Sequence, residues 1–159
     1  MYSIQSYVDV YRRQVREIGL KAFSKNAWPL FVSALHEANQ HSCVIKHDNI
    51  VVGFALLSCG AERNNLPQGL EIAFLAIDEE YQGKGLGTGL LEYIKTLKYQ
   101  HFWLYVAYSN PGAQRLYERC GFKIWRTIGD KEEGGYVMGY SHNVWAGRLR
   151  KNRARGSKN

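Results

Sequence analysis

The sequence of 159 residues predicts one α/β domain, and three observations predict it. Apolar, β-branched runs alternate along the chain with stretches whose apolar residues recur at three and four positions, so strands and amphipathic helices interleave. The composition, 45% hydrophobic and 22% charged, is globular and argues against a disordered, collagen-like or coiled-coil chain. A glycine-rich segment, Gly83 to Gly89, stands between an apolar strand and an amphipathic helix. A chain of this length buries a full core unaided.

Each element follows in order from local pattern. Tyr2 to Val8 alternates as an opening strand, and Val10 to Phe23 follows with Val15, Ile18 and Phe23 at helical intervals. A second helix is expected to start at Asn26, whose side chain can cap free backbone amides, with Pro29 in the first turn. Its stripe is Leu30, Phe31, Ala34, Leu35 and Ala38. Ser42 to Lys46 and Ile50 to Cys59 are β-branched and apolar runs separated by His47-Asp48-Asn49, which is hairpin chemistry. Gly60 to Gln68 reads as a loop and Leu70 to Ile77 as a mostly apolar strand, followed by the polar connection Asp78 to Gly87.

Leu86, Leu90, Ile94 and Leu97 fall on one helical face. Phe102 to Tyr108 is short and apolar enough for a central strand. Ser109-Asn110-Pro111 breaks the chain, and Ala113, Leu116, Tyr117 and Cys120 then share one face of a short helix closed by Gly121. Phe122 to Ile128 and Tyr136 to Ser141 are the last strands, joined by the polar loop Gly129 to Gly135. The order is β-α-α-β-β-β-α-β-α-β-β, with no internal repeat.

Charge divides the chain. The net +7 comes from 21 basic against 14 acidic residues, but Arg148, Arg150, Lys151, Arg153, Arg155 and Lys158 fall within the last twelve positions. The body, 1–147, is left with 15 basic against 14 acidic residues, a net of +1, and the basic tail, 148–159, reads as a solvated extension. That tail is either a solubilising end or a weak nucleic-acid attachment or address signal; the body lacks the interleaved basic and aromatic residues of a nucleic-acid reader. No apolar run approaches the roughly 20 residues of a membrane span, and no secretory signal is legible at Met1 to Asp9. A cytoplasmic or nuclear protein, monomer or homodimer, is the expectation. Cys43, Cys59 and Cys120 are odd in number and form no Cys-x-x-Cys, so they are expected to be reduced and mostly buried. His36 and His41 miss the same-face helical spacing of a metal pair, and no metal is assigned.

Backbone amides at a helix N-terminus are unpaired and the helix dipole is positive there, so the turn Tyr81-Gln82-Gly83-Lys84-Gly85-Leu86-Gly87-Thr88-Gly89 is suited to phosphate oxygens. No window supplies Gly-x-x-x-x-Gly-Lys-Ser/Thr. Gly-x-Gly-x-x-Gly also fails, because Thr88 or Leu90 occupies its last position. What is present is Gln82-x-x-Gly85-x-Gly87. It resembles the pyrophosphate loop of the GNAT superfamily of acetyl-CoA-dependent N-acetyltransferases. Asn110 to Phe122, about 25 residues on, is similar to the family's second cofactor segment. The resemblance covers Ser42 to Ser141; the two N-terminal helices fit by element order.

The resemblance implies a single-domain GNAT fold: a mixed, mostly antiparallel sheet splayed between two parallel central strands, Leu70 to Ile77 and Phe102 to Tyr108, with helices on both faces. It implies acetyl-CoA as co-substrate. Backbone amides of Gln82, Gly83, Lys84, Gly85, Leu86, Gly87 and Thr88 would hold its pyrophosphate and Asn110 its pantetheine arm. Lys84 could add a point charge, and Arg115 and Arg119 are candidates for the 3′-phosphate. Leu75, Ala76 or Ile77 would supply an oxyanion-binding amide.

Transfer from a thioester to an amine needs a neutral nucleophile, stabilisation of the oxyanion and a settled charge on the leaving thiolate. Glu71-Ile72-Ala73-Phe74-Leu75-Ala76-Ile77 resembles the strand of coactivator-type histone acetyltransferases in which a glutamate is the general base, and apolar neighbours would raise the pKa of Glu71. Tyr117 matches the family's general acid. Cys120 is not required, since the family transfers directly. Asp78, Glu79, Glu80, Glu132 and Glu133 would favour a cationic acceptor, with Asp78, Glu132 and Glu133 as substrate contacts; protein lysine and polyamine stay open. The rival readings are a catalytically silent acetyl-CoA-binding module and a basic adaptor working through the tail.

Overall fold

Seven strands form one mixed sheet in the computed structural model, which describes residues 1–60 and 66–142 of the chain. The strands are β1 (Tyr2–Ser6), β2 (Cys43–His47), β3 (Ile50–Gly60), β4 (Gly69–Ile77), β5 (His101–Ala107), β6 (Lys123–Ile128) and β7 (Gly135–Ser141). The helices are α1 (Arg12–Ala22), α2 (Trp28–His36), α3 (Leu86–Lys95) and α4 (Pro111–Arg119). Element order agrees with the sequence reading throughout. The basic tail, 148–159, lies outside the described residues.

The strands lie in the order β1-β2-β3-β4-β5-β7-β6, and every neighbouring pair is antiparallel except β4 and β5. That parallel pair is joined only at Leu70↔Phe102 and Glu71↔Trp103. Beyond it the strands separate. The physical cause lies on the other edge of β4, where the register against β3 slips between Leu56 and Leu57 and leaves Ala73 as an extra residue. A bulge bends its strand and increases its twist, so β4 leaves β5 one or two residues after Glu71. The splay is therefore written into the β3–β4 ladder.

The bulge also reverses side-chain parity. Leu70 and Ile72 precede it in the core shared with α3, formed by Leu86, Leu90, Leu91 and Ile94 with Phe102 and Leu104. After it, Leu75 and Ile77 pack on that same core, while Phe74 and Ala76 join the opposite one under α1 and α2, with Val15, Ile18, Phe31, Leu35 and Phe54. Glu71, flanked by Leu70 and Ile72, faces the α1–α2 side. Gly19 lets the two helices close, since a Cβ there would meet the Phe31 ring.

Two local expectations are corrected. Asn26 does not cap α2: it lies within a 3-10 turn, Lys25–Ala27, that runs directly into the helix, and Pro29 occupies the first turn. Of the cysteines, Cys43 and Cys120 are buried but Cys59 is exposed near the end of β3. The β2–β3 turn is as expected, with Asp48 at φ 55°, a left-handed conformation that Asp tolerates.

Candidate active site

The splay opens a cleft of about 530 Å³ between the ends of β4 and α1, the glycine turn and α4. Leu75, Ala76, Ile77, Gln82, Gly83, Gly85, Leu86, Gly87, Thr88, Asn110 and Tyr117 all line it, so most residues expected to hold the coenzyme are brought together.

The glycine turn is shaped by backbone conformation. Gly83 and Gly85 take φ 74° and 77°, and a Cβ on either would meet no atom within 4 Å. Glycine is needed there for the left-handed backbone, and the space above it is open. Gly85 is the N-cap of α3, and the first helical bond runs from the Gly89 N–H to the Gly85 carbonyl at 3.0 Å. The amides of Leu86, Gly87 and Thr88 precede that bond and have no carbonyl one turn back in the helix. Gly87 has another duty: a Cβ there would stand 3.2 Å from Leu116 of α4, so it sets how closely the two helices approach.

The free edge of β4 is defined by alternation. The Asp78 N–H points to β3, donating to the Val52 carbonyl at 2.7 Å. Successive residues of a strand direct their backbone polar groups to opposite edges. Ala76 therefore also faces β3, and Leu75 and Ile77 present theirs to the splay. The Ile77 carbonyl is already occupied, accepting from Gln82 Nε2 at 3.1 Å. Of the three expected amides, those of Leu75 and Ile77 face the cleft.

Tyr117 projects from α4 with its ring 6.1 Å from that of Phe122. Burial, with a smaller contribution from Cys120, pushes its phenol up to about 12. Asn110 caps α4: its Oδ1 accepts from the Ala113 N–H at 3.2 Å, and Pro111 is preset for the first turn. Glu71 is half-buried at the closed root of the splay and is not on the cleft wall.

Most of the remaining expected residues stand apart. Lys84 turns over the Tyr81 ring, with Nζ 5.8 Å from its centre. Asp78 accepts the Glu80 N–H at 3.1 Å and lines, with Lys21 and Glu79, a smaller pocket of about 220 Å³ that adjoins the cleft through Ala22, Ile77 and Gln82. Glu132 and Glu133 are exposed on the β6–β7 turn, where their N–H groups bind Asp130 and hold its carboxyl below the usual range. Arg119, but not Arg115, reaches the cleft. Ala22, Phe23 and Tyr81 line it without having been singled out. Phe23 carried only a helical-stripe signal, and Tyr81 stood one position before the glycine pattern.

A family model described as the acetyltransferase (GNAT) family matches residues 5–122. The chain belongs to the GNAT family of acetyltransferases. N-alpha-acetyltransferase 30 of Schizosaccharomyces pombe is 29% identical over 131 residues, covering 80% of this chain and 84% of that protein. A mycothiol acetyltransferase of Acidothermus cellulolyticus is 40% identical over 73 residues, 43% of this chain. The chain matches only 22% of that relative's length. Among solved structures, a GNAT acetyltransferase of Bacillus cereus superposes with a TM-score of 0.72 at 13% identity, covering 89% of this chain and 97% of that one. Arabidopsis thaliana Naa50, solved with a bisubstrate analogue, gives 0.69 at 19% identity, covering 89% and 99%. At these identities the structures establish the GNAT fold alone. Among the described residues no helix is long and apolar enough to cross a membrane.

Proposed function

We propose that this GNAT domain is an acetyl-CoA-dependent N-acetyltransferase that moves the acetyl group directly onto a primary amine. The observation that carries the reading is the cleft itself: unpaired amides at the start of α3 at one end, the free β4 edge along one side and the Tyr117 phenol in the wall. The residues present fit the coenzyme. Open space over Gly83 and Gly85 admits phosphate oxygens to backbone amides and the positive end of a helix. A splayed strand offers the Leu75 and Ile77 amides to an extended amide-bearing arm.

In the transfer a C–N bond forms as the thioester C–S bond breaks; the amine loses one proton and the leaving thiolate gains one. In this reading Tyr117, on the cleft wall, meets the thiolate. Held well above a thiol's ordinary pKa near 8.5, its phenol stabilises the charge by donating a hydrogen bond more readily than by releasing its proton. The Leu75 N–H is the candidate oxyanion donor. Glu71 projects from the α1–α2 face of β4, the face that Phe74 and Ala76 share, and is the candidate base, reaching the amine through water. Cys120 is buried and burial raises its thiol, which disfavours a covalent relay.

The acceptor is a primary amine; protein lysine, polyamine and, from the likeness to an N-alpha-acetyltransferase, a protein α-amine are the classes in play. Calorimetry with acetyl-CoA, ATP and NAD, followed by thiol release with an amine panel, tests the reading. Tight binding of acetyl-CoA alone with amine-dependent thiol release is expected. Binding without release on any amine would instead support the silent binding module.

A further inference from the structure

We infer that Phe23 sets the length of the acyl group the domain transfers, as a fixed ring that closes the thioester end of the cleft behind a two-carbon chain. This rests on the acetyl-transfer reading and deepens it by assigning the residue that selects the donor.

The direction of the cleft follows from its walls. Its phosphate end is the start of α3, where the amides of Leu86, Gly87 and Thr88 precede the first helical bond. From there it runs back along β4, past Ile77 and Ala76 to Leu75, the lowest-numbered β4 residue on its wall. The end of α1 follows the same course. Ala22 stands beside Ile77 and Gln82, with which it lines both the cleft and the smaller pocket. Phe23 lies one residue further on, its ring centre 5.1 Å from that of Phe74. Phe74 precedes Leu75 and is not on the cleft wall. Phe23 therefore closes the end remote from phosphate, where a coenzyme laid along β4 presents its acyl group.

The ring is held in place. Besides Phe74 it packs against Phe31 at 5.3 Å and Phe54 at 6.3 Å, and both of those rings are fully buried. The backbone beneath it is fixed as well. The Phe23 N–H donates to the Gly19 carbonyl at 3.0 Å, closing α1, and the Phe23 carbonyl accepts from Trp28 Nε1 at 3.0 Å. The bulge at Ala73 completes the arrangement, because it turns Phe74 and Ala76 to the side where Phe23 packs. A longer acyl chain cannot displace this ring without disturbing the close-packed core under α1 and α2. The stop is rigid.

The expected selectivity follows from the size of the step. One methylene more or less against an apolar wall changes specificity by roughly 10–200-fold. A propionyl donor should therefore reach about one-tenth of the acetyl kcat/KM or less, and a butyryl donor about one-hundredth or less. Shortening the stop reverses the order of these effects. Phe23→Ala should raise the propionyl-to-acetyl ratio by about tenfold or more, and Phe23→Leu, which keeps an apolar side chain in the aromatic cluster, by roughly threefold or more.

The test is a donor comparison at a fixed acceptor. Thiol release from acetyl-, propionyl- and butyryl-CoA is measured as kcat/KM on one amine that the wild-type chain uses, for the full chain and its Phe23→Leu and Phe23→Ala variants. Because the acceptor is the same throughout, effects on acceptor binding or on the base cancel in the donor ratio. The ratio is expected to rise in the order wild type, Leu, Ala. Circular dichroism identifies a variant that does not fold, and if the Ala variant fails there the Leu variant decides alone. Equal use of acetyl- and propionyl-CoA by the wild type, or a ratio within about twofold of wild type in the folded Leu variant, overturns the inference and leaves the acetyl-transfer reading intact. Failure of the wild type to bind acetyl-CoA by calorimetry, or to release thiol with any amine of the panel, overturns both.

Discussion

Gln82 donates from its side-chain amide to the Ile77 carbonyl across 3.1 Å, tying the start of the glycine turn to the end of the strand that leaves the sheet. The contact fills the one β4 carbonyl at the strand end that faces the splay, and it fixes the turn relative to the Leu75 and Ile77 amides. Gln82 is exposed, so Gln82→Met keeps length but loses the tie at little cost in stability, within about 0.5 kcal/mol. Acetyl-CoA affinity is expected to fall about tenfold, the worth of a single well-placed hydrogen bond. An unchanged dissociation constant by calorimetry would show that the turn holds its place without Gln82.

Gly85 separates conformation from charge. Asn and Asp have the same shape and both tolerate a positive φ, so Gly85→Asn and Gly85→Asp carry similar strain at φ 77°. Only the second adds a negative charge beside the α3 amides. Acetyl-CoA binding is expected to weaken less than tenfold in the Asn variant and 100-fold or more, roughly, in the Asp variant. Equal losses in the two would mean that the loop does not face phosphate.

Much of this arrangement was legible in the sequence, for identifiable reasons. Gln82-x-x-Gly85-x-Gly87 carries part of its geometry in residue type, since the left-handed position at Gly85 calls for glycine, and Ser109-Asn110-Pro111 marks the break before a short helix. The β3–β4 bulge was not legible. Nothing in Leu70 to Ile77 marks Ala73 as unpaired, because a bulge is a property of two strands in register. Its consequences, that Glu71 and Leu75 face opposite ways and that Ala76 turns its amide to β3, were hidden with it. Asn26 failed as a cap for a different reason: the 3-10 turn ahead of α2 already directs the chain into the helix.

Tyr117 provides a prediction on the alkaline side. Its phenol is raised by burial to about 12, against an unfolded value near 10. Between those values the unfolded chain has released a proton that the native chain retains. Unfolding is then favoured as pH rises, by at most roughly 1.4 kcal/mol per pH unit. Tyr117→Phe should flatten the loss of stability between pH 10 and 12 in denaturant melts, and should lower kcat by about tenfold at pH 7 with little change in acetyl-CoA affinity. Retention of full kcat by the Phe variant would assign thiolate stabilisation to the backbone or to water.

Glu71 is where acceptor and base are read together. Glu71→Gln preserves size and hydrogen bonding on the α1–α2 face of β4 but cannot take a proton. If the carboxylate serves a lysine, whose ammonium must be deprotonated against a pKa near 10.4, turnover at pH 7 should fall by about 100-fold or more. With an α-amine, already roughly one-tenth neutral at that pH, the fall should be no more than about tenfold and should vanish as the pH passes about 8.5, where the amine has lost its own proton. The pH–rate profiles of wild type and Glu71→Gln on a lysine-free peptide should therefore converge on the alkaline limb. Parallel profiles, separated by a constant factor up to pH 9.5, would mean that Glu71 positions Trp103 and the root of the splay instead of moving a proton.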